Sequence, residues 1–263
     1  MTNSLARFSS QDFSPDRLRP EAGPARAQSF GRFEFKYILP NPLASLLESE
    51  LRAFMEVDPF CRDRPDQSYL VHSLYFDSPD FACYYEKIDG MLDREKFRLR
   101  TYDDSGSSPC YLELKGRQNH FSYKHRTPLD ARLYGLVESG RWSALAVAGG
   151  PAVLERFAAT ACRRRLTPQV LVEYRRRPYV SRRDFRFRVT FDRGLRGAAA
   201  ARLHRPAARA AAVLPGHTVL EIKFEHAVPA WFQRLIAAYE LRRVSISKYC
   251  RAAEALTLVR NLE

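Results

Sequence analysis

Lysine is scarce in this chain of 263 residues: 7 lysines stand against 36 arginines. With general positive charge carried by Arg, each Lys marks a place where a compact ammonium is wanted. Paired cysteines are missing too. Cys61, Cys83, Cys110, Cys162 and Cys250 are odd in number and form no C-x-x-C, so free thiols in a reducing compartment are expected. The six histidines are dispersed and give no Cys/His cluster for zinc. No run approaches the ~20 apolar residues of a membrane-spanning helix, and no basic start with an apolar run marks a Sec-type signal. A cytoplasmic location is expected. There is no G-x-x-x-x-G-K-[ST], no kinase-type glycine loop and no G-x-S-x-G elbow.

What is present is positive charge, at a formal net +13. That surplus points to an anionic partner: nucleic acid, a membrane surface or a phosphorylated molecule. The chain is 45% hydrophobic and 12% aromatic, enough to bury a sizeable core.

Residues 1–29 are rich in Ser, Pro, Arg and Ala and read as a flexible tail, with 30–263 as a single domain. Strict alternation predicts strands over 31–39, 70–76, 94–102, 111–117, 120–126, 169–180, 184–192 and 218–226. Helices are predicted from Asn41-Pro42 to about Phe54, from Ser78-Pro79 to Gly90, over 128–165 with a break near Gly149-Gly150-Pro151, from Pro229 to Tyr239 and from Ser247 to Val259. Residues 194–216 read as a surface loop. Roughly eight strands with covering helices make an α+β domain.

The strands share one pattern. The period of two puts Arg32, Glu34 and Lys36 on one face of the first strand and Phe33, Phe35 and Tyr37 on the other. The same alternation groups Lys96, Arg98 and Arg100, then Glu113, Lys115 and Arg117, then Arg186, Arg188, Thr190 and Asp192, then Glu221, Lys223 and Glu225. A solvated sheet face would give the same period. These faces, however, are almost wholly ionic, and their reverse sides carry large aromatics and aliphatics. A closed sheet would bring the charges inside, where only water or a charged ligand makes them stable. Many cations with a few carboxylates suit a metal-bound polyphosphate.

In order and spacing, Arg32-Phe-Glu-Phe-Lys-Tyr37, Leu74-Tyr-Phe-Asp-Ser-Pro-Asp80, Lys96-Phe-Arg-Leu-Arg-Thr-Tyr102, Leu112-Glu-Leu-Lys115, Tyr123-Lys-His-Arg126, Val172-Glu-Tyr-Arg-Arg-Arg-Pro-Tyr179, Phe187-Arg-Val-Thr-Phe-Asp192, Leu220-Glu-Ile-Lys223 and Ser245-Ile-Ser-Lys248 resemble a bacterial VTC domain. This is the polyphosphate polymerase module of the vacuolar transporter chaperone, among the triphosphate tunnel metalloenzymes. The resemblance covers about residues 31–255. It implies a closed eight-stranded antiparallel β-barrel, the triphosphate tunnel, and metal-dependent transfer of the γ-phosphoryl group of ATP onto inorganic polyphosphate. Carried over by position, Arg98, Arg100, Lys115, Arg188 and Lys248 would be catalytic. Lys36, Lys124, Arg176 and Lys223 would complete the phosphate ligands. Glu221 would hold Mn²⁺ or Mg²⁺, with Glu34 and Glu113 as weaker metal contacts or as groups orienting the Lys and Arg side chains.

Related tunnel phosphatases carry Glu-x-Glu-x-Lys on the first strand. Arg32 replaces the first Glu here, which disfavours a thiamine-triphosphatase or adenylate-cyclase reading. The eukaryotic proteins add a phosphate-sensing helical domain and membrane helices, which are not expected in this sequence; a membrane-protein partner stays open. Two other readings compete: a tunnel hydrolase of triphosphate or polyphosphate, and a polyanion-binding module without catalysis. No specific nucleic-acid recognition is expected, since the aromatics alternate away from the charges. In a tunnel, Arg98, Arg100, Lys115, Arg188, Glu221 and Lys248 should converge on one cavity, with Phe33, Phe35, Leu112, Leu114, Phe187 and Ile222 facing outward beneath helices or in the surrounding core.

Overall fold

The computed structural model describes residues 33–102, 108–119, 121–200, 202–204 and 210–259. The expected tail and Arg32 lie outside the described residues.

β1 (Phe33–Pro40) is the alternating strand predicted at the start. It leads into α1 (Asn41–Leu51), where Pro42 sits in the first turn without costing a hydrogen bond. Pro40 is the N-cap, and the Asn41 side chain accepts a hydrogen bond from Thr218 Oγ1 at 2.9 Å. β2 (Met55–Val57) and α2 (Pro59–Arg62) follow, too short to show a period in sequence. Next come β3 (Tyr69–Asp77), α3 (Ala82–Ile88), β4 (Arg94–Thr101), β5 (Cys110–Gln118) and β6 (Phe121–Leu129). Gly90, at φ +71°, turns the chain between α3 and β4.

The helical stretch predicted over 128–165 is three helices: α4 (Ala131–Glu138), α5 (Trp142–Val147) and α6 (Ala152–Arg164). Asp130 caps α4 by accepting from Leu133 N at 2.7 Å. β7 (Thr167–Ser181) pairs with β8 (Arg188–Ala199). The expected loop over 194–216 is corrected here. β8 runs on to Ala199, and β9 (Ala210–Ala212) pairs with it. Small side chains, which gave no hydrophobic alternation to read, let a strand and a helix approach closely at this point. β10 (His217–Phe224), α7 (Ala230–Ala238) and α8 (Lys248–Ala255) complete the chain.

The sheet order is β1-β10-β8-β7-β3-β4-β5-β6, antiparallel throughout, with β2 added on β7 and β9 on β8. The eight-strand path curls strongly but does not close. The expected closed barrel is therefore an open half-barrel, whose two edges are β1 and β6. Glu34 and Lys36 on β1 and Lys115 on β5 stand near one another across the opening, where Glu34 and Lys115 attract and Lys36 and Lys115 repel.

The convex side is apolar and covered. α1 and α7 bury Leu47, Leu51 and Phe232 with Phe187, Phe191, Leu220 and Ile222. α4–α6 bury Val137, Leu154 and Phe157 with Phe97, Leu99, Leu112 and Leu114. Each such side chain contributes about 1.5–3 kcal/mol relative to exposure. α8 differs, because it packs on the concave side. Its Tyr249, Cys250, Ala252 and Ala253 join Tyr75, Val170, Val172, Leu195 and Val219. Gly197 makes this docking possible, since a Cβ there would lie 2.7 Å from Ala252 Cβ. Gly197→Ala should destabilise the fold by about 1–3 kcal/mol and loosen the helix that carries Lys248. Urea unfolding checks it, with an unchanged midpoint contradicting this packing.

Candidate functional site

The concave face is lined by two ionic networks. On β4 and β5, Glu113 is fully buried between cations. Arg98 donates to its Oε2 from Nε at 2.8 Å and from Nη2 at 2.6 Å. Arg100 Nη1 lies 3.8 Å from the same oxygen, while Lys124 Nζ at 3.3 Å and Arg126 Nε at 3.6 Å approach Oε1. Strand register produces this cluster: Arg98, Glu113 and Arg126 are direct cross-strand neighbours. Hydroxyls on β3 and β7 hold the guanidiniums from below. Tyr75 OH accepts from Arg98 at 2.8 Å, Ser73 Oγ from Arg100 at 3.0 Å and Tyr174 OH from Arg100 at 3.4 Å.

Opposite, Arg176 donates to both oxygens of buried Asp192, at 2.6 and 2.7 Å, and to Glu221 Oε2 at 3.1 Å. Lys248, the first residue of α8, sits 2.6 Å from Asp192 and 2.5 Å from Glu221. Ser247 caps that helix and so fixes where Lys248 starts. Lys36 pairs with Glu34 at 3.0 Å.

Electrostatics follow from this packing. Burial alone would raise the Glu113 carboxyl, but Arg98, Arg100 and Lys124 hold it well below the usual carboxylate range. Glu221 is likewise held low against burial by Lys248, Arg176, Lys36 and Lys223. Glu34 is brought to about 2, since Lys115, Lys36 and Lys223 outweigh partial desolvation and repulsion from Glu221. Burial would also raise the Tyr75 phenol, yet Arg98 and Arg100 bring it below its ordinary value. Lys115 behaves oppositely to its paired neighbours. Glu34 favours its ammonium, but desolvation together with Arg98, Lys36 and Lys223 brings it down to about 7. Its side chain is exposed at the open side, yet desolvation is the largest lowering cause, ahead of Arg98, Lys36 and Lys223.

Arg98, Arg100, Lys115, Lys124, Arg176, Lys223, Glu221, Lys248, Lys36 and Glu34 thus line one groove, with Leu112, Leu114, Phe187 and Ile222 buried behind it and Phe35 partly buried; Phe33, at the start of edge strand β1, is 51% exposed and not covered as expected. Arg188 joins them through its cross-strand partner Lys223. Arg186 falls before β8 and pairs with Asp184 at 2.9 Å outside the groove, and Glu225 lies beyond the end of β10. Sequence reading missed Ser73, Tyr75, Tyr174 and Arg126, and counted Asp192 only as part of a face. The alternation Val71-Ser73-Tyr75 held the signal, but neutral hydroxyls do not stand out among Arg and Lys.

A VTC domain model matches residues 31–257. The chain belongs to the VTC-domain family. Among curated proteins, none matches it. A Bacillus halodurans structure described as a candidate adenylate cyclase shares 12% identity over 82% of this chain and 94% of its own, with a TM-score of 0.51. It shows that the VTC domain here has the curled-sheet fold of that protein. A Vibrio parahaemolyticus structure with the same description (14% identity, 86% and 98% coverage, TM-score 0.44) and the PH1819 protein of Pyrococcus horikoshii (10%, 86% and 98%, 0.41) are also similar.

The donor set can be tested against the metal that the family implies. Among the described residues, no three of His, Cys, Asp and Glu gather into a cage. Glu34 and Glu221, close enough to repel one another, fit a hard cation that takes its remaining ligands from phosphate and water. Glu113 is fully buried with cations on both oxygens, which suits it to orienting them; Glu221 is engaged too, by Lys248 on Oε1 and Arg176 on Oε2, so a metal there would have to displace one of them.

Glu113→Gln should therefore remove the charge that holds four cations together and destabilise the VTC domain by about 3–5 kcal/mol at neutral pH. The Glu113 contribution is present above the unfolded carboxyl pKa of about 4.3 and is lost as pH falls through the lower folded value. Unfolding free energies measured across pH should show the gap between wild type and variant closing in acid. A constant gap would contradict the electrostatic account.

Proposed function

We propose that this VTC domain binds a polyphosphate chain in its concave groove and transfers the γ-phosphoryl group of ATP onto it. Family membership and the cationic groove support a phosphate-related function. The observation that carries the finer reading is the charge imbalance within the groove. Arg98, Arg176 and Lys248 are already paired with carboxylates and act as a fixed frame. Lys115, Lys223 and Arg188 face the same space with no ion pair to a carboxylate within 4.0 Å among the described residues, and Arg188 Nε is buried without a hydrogen-bond partner. They are the cations left over for phosphate oxygens.

Phosphoryl transfer asks little covalent chemistry of a protein; it needs positioning and stabilisation of charge on the transferring group. In this reading Arg98, Arg100, Arg188 and Lys248 orient the phosphates and oppose the charge that develops during transfer. Lys36, Lys115, Lys124, Arg176 and Lys223 hold the chain. A Mn²⁺ or Mg²⁺ ion held by Glu221, with Glu34, would neutralise phosphate charge. The open side of the half-barrel admits water, which favours hydrolysis of triphosphate or polyphosphate as the second reading. A cyclase reading suggested by the structural neighbours is not adopted, since Arg32 stands where the tunnel phosphatases and cyclases carry Glu.

Incubation of the purified protein with ATP and Mn²⁺ should yield polymer that a polyphosphate-specific dye detects. Phosphate release without polymer would support the hydrolase, and neither product would leave a binding module. Lys115 supplies a further check. Because its ammonium is lost around pH 7 in the empty groove, tripolyphosphate affinity measured without metal should fall from about pH 6 to about pH 8, and Lys115→Arg should flatten the fall. The same fall in Lys115→Arg would remove Lys115 as its cause.

A further inference from the structure

Beyond the groove centre the cation rows continue along β4 and β5. Three lysines, Lys96, Lys115 and Lys124, are direct cross-strand neighbours on β4, β5 and β6. The next row outward is Arg94 opposite Arg117. Successive rows lie two residues apart on the same face, a step of about 7 Å. Like charges set directly opposite are destabilising unless something neutralises them.

Arg94 and Arg117 differ from the arginines around them. Arg94 Nη1 donates to Met91 O, and Arg117 Nε donates to Asn119 O at 2.8 Å. Backbone carbonyls thus fix both guanidiniums, and neither has an ion pair to a carboxylate among the described residues. Desolvation and the charge of Arg117 together lower the Arg94 pKa. Both residues reach a cleft of about 530 Å³ that wraps the end of the sheet and that Glu95, Tyr123 and His125 line from the convex side. The other arginines of that cleft are already paired, Arg156 with Glu95 and Arg164 with Glu86, and Asp93 accepts from Asn119 N at 2.9 Å. The positive charge without a carboxylate partner therefore runs from Lys115 through Arg117 to Arg94, with Lys87 and Lys96 beside it.

We propose that Arg94 and Arg117 form a distal phosphate subsite, engaged by a polyphosphate chain long enough to reach past the lysine row and left empty by tripolyphosphate. This rests on the groove being a polyphosphate site. It adds a length-sensing element to that site: affinity rises with chain length until the Arg94–Arg117 row is filled. Both groups are orienting donors to phosphate oxygens on a segment remote from the reacting end.

The test compares the double variant Arg94→Gln/Arg117→Gln with wild type in direct binding of tripolyphosphate and of long-chain polyphosphate at several salt concentrations. Long-chain affinity should fall roughly tenfold and lose part of its salt dependence, while tripolyphosphate affinity stays within about twofold. Arg156→Gln, whose charge is already paired, should leave both affinities unchanged. Equal losses for the two ligands, or no loss for the long chain, would overturn the distal subsite while the groove reading stands. If wild type bound neither ligand, the groove reading itself would fail and the subsite with it.

Discussion

A buried carboxylate between cations is the interaction on which the rest of this VTC domain depends. Curling the sheet places Arg98, Arg100, Lys124 and Arg126 on one wall and Arg176, Lys248 and Lys36 on the other. Without Glu113 on the first wall, and Asp192 with Glu221 on the second, mutual repulsion would unroll it. At ~4 Å two like charges cost about 4 kcal/mol at an effective dielectric near 20 and about 1 kcal/mol in water. The carboxylates offset most of that but not all. Lys115, Lys223 and Arg188 have no ion pair to a carboxylate within 4.0 Å among the described residues, which is what the proposed anion site rests on.

Local structure and ligand preference are linked through the same side chains. Hydroxyls of Ser73, Tyr75 and Tyr174 fix the guanidiniums without neutralising them, so the groove keeps its charge while losing its freedom. α8 contributes from inside the curl. Its capped first turn sets Lys248 against two carboxylates, and its small residues let it approach Gly197. A preorganised array of this kind spends little conformational entropy when it meets phosphate oxygens.

Much of this was legible in the sequence, because a period of two is unambiguous when one face is ionic and the other aromatic. Glu34 with Lys36, Arg98 with Arg100, and Glu221 with Lys223 were each assigned to a common side from alternation alone, and the structure brings them into one groove. Closure was not legible. Whether β1 meets β6 depends on how far the whole sheet curls, and no local pattern records that. Nor did alternation reveal β8 beyond Arg193, where Gly and Ala replace the apolar partners that mark a strand. Among site residues, the neutral hydroxyls escaped notice, and Arg186 was over-read because the strand begins two residues later.

If the concave groove is a polyanion site, as proposed, its cations are partly unsatisfied in the empty protein. The melting temperature with tripolyphosphate, compared with chloride at equal ionic strength, tests it most directly. A ligand that binds only the folded state at ~100 times its dissociation constant adds about 2.7 kcal/mol. The account predicts a rise of several degrees with tripolyphosphate, a much smaller rise with monophosphate, and a blunted rise in Arg188→Ala. Equal shifts with tripolyphosphate and matched chloride would contradict it and leave only a basic surface.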